Sequence, residues 1–160
     1  MTKLSKTLGS MYQQKRNDLK IKSFELGGHT FKVRIPLVIE TDQMYLRITT
    51  PNPDYIEKNY KQMTIAFEKF KDQPSEDFKF EENDVLIGGR SMREAAKNKT
   101  MTEIRIVEYI KLLVPEDPDS SMEDISYEDI ESEWPMSVQL ALVEKIGECI
   151  SPTYKETRGN

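Results

Sequence analysis

Between Pro115 and Pro135 the chain carries nine Asp and Glu and no Lys or Arg. The stretch reads Pro115-Glu116-Asp117-Pro118-Asp119, then Ser120-Ser121-Met122, and closes on Glu133-Trp134-Pro135. Ionised carboxylates are costly to strip of water, so a run this acidic cannot form a core. It must lie at a surface, between the two strongly apolar helical patterns that flank it. The whole chain is −5 at pH 7, so the residues outside this stretch sum to +4.

The positive charge is also concentrated. Residues 1–35 hold eight Lys and Arg (Lys3, Lys6, Lys15, Arg16, Lys20, Lys22, Lys32, Arg34) against Asp18 and Glu25, a net of +6. A basic end suggests nucleic acid, but the acidic total opposes it. Two poles of opposite sign suit a head-to-tail contact between copies, which builds rings or open helices. The plainer reading is two solvated faces.

At 160 residues the chain is one domain, or one domain with a small appendage, and long enough to bury a core without staples. Hydrophobic residues are 37% and charged residues 32%, leaner in apolar content than an average domain. Part of it stays solvated, or another copy or a partner completes the core. Cys149 is the single cysteine, which rules out an internal disulfide and points to a reducing setting. The start, Met1-Thr2-Lys3-Leu4-Ser5-Lys6, lacks the apolar run of a secretion signal. No stretch approaches the ~18 apolar residues of a membrane span. The expectation is a cytoplasmic protein with no membrane partner.

Local patterns give the elements. Residues 5–19 are loosely spaced for a helix, weakened by Gly9 and Ser10, and read as a short helix or tail. Phe24-Glu25-Leu26, Gly27-Gly28 and His29-Thr30-Phe31 form a two-residue hairpin pairing 26 with 29 and 24 with 31. That register puts Phe24, Leu26, Phe31, Val33 and Ile35 on one apolar face, which needs helices or another chain to cover it. In the apolar stretch from Leu37 to Ile48 a short helix from about Thr41 is expected, with a strand as the alternative. Asn52-Pro53-Asp54 starts an amphipathic helix to about Lys71, with Ile56, Tyr60, Met63, Phe67 and Phe70 on one face. Residues 75–90 read as a loop with a short strand. Ser91-Met92-Arg93-Glu94 and Thr100-Met101-Thr102-Glu103 both match a capping box, so a helix over 91–113 is expected, either continuous or broken near 98–100. A short helix over Ser126–Ser132 and a last helix opened by Trp134-Pro135 complete the chain. The predicted class is α+β: a mostly helical single domain over 21–152, its N-terminal hairpin packed on amphipathic helices. A basic lead (1–20), an acidic insertion (115–133) and a polar tail (153–160) accompany it. Phe24, Phe31, Phe67 and Leu142 are the predicted core.

Chemistry-bearing patterns are weak. Counting from Asp117, positions one, three, five and twelve of a calcium loop hold Asp117, Asp119, Ser121 and Glu128. Met122 stands where the sharp turn needs Gly, Asp124 where an apolar residue belongs, and Pro118 interrupts the loop, so a solvated connector is the better reading. No two carboxylates are marked as converging. His29 is the only histidine and Cys149 sits on a predicted buried helix face, which argues against a nucleophile pair. Gly88-Gly89-Arg90-Ser91 before a helix is a turn that matches no phosphate fingerprint. No cofactor, metal site or catalytic residue is assigned. The eight methionines suit an adaptable apolar surface, although core filling is the commoner use.

The hairpin Phe24 to Arg34, the helices that follow and Trp134-Pro135-Met136-Ser137-Val138 opening a final helix together resemble the tail assembly chaperones of long, non-contractile-tailed bacteriophages. The likeness covers most of residues 20–150 as a pattern of parts; the lead and the long acidic insertion have no counterpart in it. It implies a non-enzymatic protein of the infected host's cytoplasm. Such proteins coat the helical tape measure protein, associate with further copies of themselves, and give way to the major tail tube protein. On that reading Trp134, Met136, Met122 and Tyr127 contact the partner. Lys15, Arg16 and Lys20 then meet Asp124, Glu128 and Asp129 of another copy. The alternative is an acidic mimic of nucleic acid that occupies a basic host protein.

Overall fold

The computed structural model describes residues 1–73 and 75–151; the expected polar tail, 153–160, lies outside them. The chain is α+β and mostly helical. It divides into two compact units: residues 1–41 with 106 onward, and residues 42–105.

The first unit opens with α1 (Lys3–Leu8) and α2 (Ser10–Lys15). Gly9, at φ +91°, breaks them apart, a conformation that costs glycine little. A 3₁₀ turn (Arg16–Lys20) leads into β1 (Ile21–Leu26) and β2 (His29–Arg34). Gly27 and Gly28 both take positive φ, as the tight hairpin turn requires. The register is the expected one, Leu26 opposite His29 and Phe24 opposite Phe31, whose rings stack 5.3 Å apart.

Two elements cover this hairpin. The outer edge of β2 is taken by the segment after α5 (Met92–Ile110). There the Arg34 N–H donates to the Leu112 carbonyl at 2.8 Å and the Val114 N–H to that of Lys32 at 2.9 Å. Its face lies against α7 (Met136–Ile150). Val33, Ile106, Ile110, Leu142 and Ile146 are essentially without solvent exposure and form this unit's core. α6 (Tyr127–Glu133) adds Tyr127 and Ile130. Leu142 is core as expected, whereas Phe24 and Phe31 are half-buried.

The second unit holds most of α3 (Val38–Thr49), then α4 (Pro53–Thr64) and a 3₁₀ turn (Ile65–Phe70). Asn52 caps α4 by accepting from the Asp54 N–H, with Pro53 in the first turn. The α-helix stops at Thr64, short of Lys71, and the apolar stripe ends in the tighter helix. Phe67, expected in the core, is half-buried there. Residues 75–90 are more ordered than a loop. β3 (Phe78–Phe80), β4 (Val85–Ile87) and β5 (Arg90–Ser91) form an antiparallel sheet in sequence order. α5 runs unbroken through 98–100, so the second capping-box pattern does not start a helix.

Candidate functional site

The Thr100–Glu103 pair instead faces inward. Thr100 is fully buried and its hydroxyl donates to the Ala96 carbonyl at 2.7 Å, one turn back. Glu103 is 6% exposed. It accepts the Tyr55 hydroxyl at 2.6 Å and Asn59 Nδ2 at 3.2 Å, while Lys99 Nζ pairs with its second oxygen at 3.1 Å. Asn59 Nδ2 also donates to Thr100 Oγ1 at 2.8 Å. The spacing that suits a capping box also stacks two side chains on one helix face. Here that face meets α4, and the polar groups satisfy one another. The arrangement ties α4 to α5.

The turn before α5 is closed in the same internal way. Gly88 and Gly89 take positive φ between β4 and β5. The Arg93 amide at the start of α5 meets the chain's own Asp84. That carboxylate accepts from the Val85 and Arg93 amides at 2.8 and 3.0 Å and from the Ser91 hydroxyl. The Arg93 guanidinium donates to Glu57 at 2.6 Å and to the Asn83 carbonyl, and lies 4.0 Å over the Tyr60 ring. Burial pushes the Asp84 carboxyl up, but the Ser91, Arg93 and Val85 hydrogen bonds and the Arg93 charge outweigh it and hold it below its ordinary value. A depressed folded value stabilises the fold above the ordinary Asp range, and that stability drains as pH falls through the folded value. Asp84→Asn should therefore lower the melting temperature at pH 6, and the gap to wild type should close toward pH 3. Thermal unfolding across that range decides it; a gap independent of pH would exclude this role.

The residues expected to act on partners divide. Trp134 is half-buried as the C-cap of α6, its N–H bonded to Ile130 and its carbonyl accepting Gln139 Nε2 at 2.8 Å. Met136 stays on the surface, 48% exposed, and Met122 is half-buried. Tyr127 requires a correction. It is 9% exposed, and its hydroxyl donates to buried Gln139 Oε1 at 3.1 Å, so it fixes α6 to α7 rather than facing a partner.

At the poles Lys15 and Lys20 are exposed and Arg16 is half-buried. Asp124, Glu128 and Asp129 are exposed, but Asp129 is engaged locally. Hydrogen bonds from the Ser126 amide and hydroxyl, at 2.8 and 2.9 Å, close a capping box and hold its carboxyl below the ordinary value. His29 meets Phe31 edge-on at 4.6 Å, and burial pushes the Cys149 thiol up, away from the reactive thiolate. Among the described residues, no group of three or more His, Cys, Asp or Glu is placed to hold a metal ion. No described helix is long and apolar enough to cross a membrane.

What the sequence missed is apolar surface. Leu37, Val38 and Ile39 are 56%, 80% and 64% exposed, three consecutive aliphatic side chains at the start of α3. Elsewhere in the same unit Leu4, Leu8 and Met11 of the lead, and Leu140 of α7, are also exposed. The signal lay in Leu37-Val38-Ile39 directly after Pro36. It reads as the lead-in to a helix, and only a fold shows which residues stay uncovered. No family model matches the chain, and no curated protein or solved structure is similar to it.

Proposed function

We propose that this is a non-enzymatic assembly chaperone that shields an apolar helical segment of a partner. The observation that carries this reading is the exposed Leu37-Val38-Ile39 run, three consecutive aliphatic side chains left open to solvent. A helix laying an apolar face there would gain the burial that both surfaces lack alone. The resemblance names the partner as the tape measure protein of a long non-contractile phage tail, with further copies of the chain joining along it and tail tube subunits replacing them in the host cytoplasm.

Co-expression with a tape measure protein, sought among the genes beside its own, tests the reading. That protein should move from the pellet to the soluble fraction, and Val38→Ser/Ile39→Ser should reverse the effect severalfold. Unchanged insolubility, or no such neighbouring protein, would remove the reading. Capture of a basic protein that depends on Glu116 to Glu133 would put the acidic mimic in its place.

A further inference from the structure

The basic lead is an unusual piece of surface. Apart from Ser5, no residue of 1–20 is buried, although the segment is folded. Thr2 caps α1 through the Ser5 amide, and Gln13 Nε2 reaches back to the Ser5 carbonyl at 3.1 Å. The lead thus holds its shape by polar contacts while Leu4, Leu8 and Met11 point to solvent, Met11 at 83% exposure. Leu4 and Leu8 are four residues apart on α1 and share a face, flanked by Lys3 and Lys6. The opposite surface exists on the same chain. On α7, Met136 and Leu140 are also four apart, about half exposed, and preceded by exposed Glu131 and Glu133.

We infer that the lead of one copy seats on the start of α7 of the next, Leu4 and Leu8 against Met136 and Leu140, with Lys3 and Lys6 toward Glu131 and Glu133. The charges select the occupant. A basic apolar pair fits an acidic apolar pair, and neither surface complements itself. We take the contact as head-to-tail, repeating from copy to copy; the reciprocal two-fold dimer that the same two patches also permit would stop at two copies. This deepens the proposed chaperone reading by assigning where copies meet. It also moves that contact from Lys15, Arg16 and Lys20 to the lead's first helix, and from Asp129, which is engaged at Ser126, to the edge of α7.

Because the two surfaces differ, a mixing experiment tests the pairing on the full chain. Wild type should show a light-scattering mass that climbs with concentration past that of two copies and falls in high salt. Leu4→Ser/Leu8→Ser and Met136→Ser/Leu140→Ser should each run as an 18.6 kDa monomer. Mixed, they should form a species of twice that mass, since one intact surface remains on each. A second pair keeps every apolar side chain. Lys3→Glu/Lys6→Glu and Glu131→Lys/Glu133→Lys should be monomers alone and should associate when combined. A monomeric wild type, either variant assembling as wild type does, or mixtures that stay monomeric would each overturn the inference. Loss of assembly with tape measure solubilisation intact would leave the chaperone reading standing, and intact assembly without solubilisation would remove only that reading.

Discussion

Replacing Leu142 with alanine should destabilise the protein by about 3 kcal/mol, within the ~2–5 kcal/mol range for emptying a closed aliphatic site. Leu142 has no solvent exposure and sits on α7, the helix that covers the hairpin, with Ile146 buried one turn on. Truncation removes transfer energy and leaves a cavity that close-packed neighbours fill only in part. For a chain of this size each kcal/mol corresponds to ~2–4 °C, so the melting temperature should fall by roughly 6–12 °C. Leu140, 49% exposed two positions earlier on the same helix, provides the control at concentrations where the chain is monomeric, and its alanine variant should stay within about 0.5 kcal/mol of wild type there. Equal losses at both positions would mean that α7 presents a different face to the hairpin.

Glu103→Ala should cost about as much, by a different mechanism. It removes the acceptor of the Tyr55 hydroxyl and one acceptor of Asn59 Nδ2, both at a buried site. Hydrogen bonds to a charged group contribute ~1.5–3 kcal/mol each, and stranded polar groups add a desolvation cost, so a loss of about 3 kcal/mol is expected. The Lys99 pair adds little, because Lys99 is 46% exposed and an open ion pair is worth less than ~1 kcal/mol. Glu103→Gln keeps the shape and one acceptor oxygen and should lose only about 1 kcal/mol. Denaturant unfolding of the two variants beside exposed Glu144→Ala settles the matter. An alanine loss as small as that of Glu144→Ala would show that the network does not hold α4 to α5.

The exposed surfaces were only half legible before folding. Met136 was read correctly as surface, because it follows a Pro at a helix start and lies off the stripe of Leu142 and Ile146. Tyr127 was not, because nothing within a few residues announces Gln139 as its partner across the Trp134-Pro135 turn. The uncovered Leu37-Val38-Ile39 run was missed for the opposite reason. Apolar side chains are expected to find cover, and the absence of cover is a property of everything else in the fold.

A few adjacent residues settle part of this fold without help from the rest. Gly27-Gly28 supplies the two positive φ angles that set the hairpin register, Asn52-Pro53 starts α4, and Ser126 with Asp129 closes the box that starts α6. Those signals are satisfied locally, so they survive whatever surrounds them. Tertiary structure decided the rest: that residues 112–114 pair with β2, that Asp84 fills the α5 N-terminus, and that Thr100 and Glu103 lie mid-helix against α4 instead of capping a new one. Each depends on a partner distant in the chain, and identical spacings serve a cap or an interhelical contact equally well until burial chooses between them.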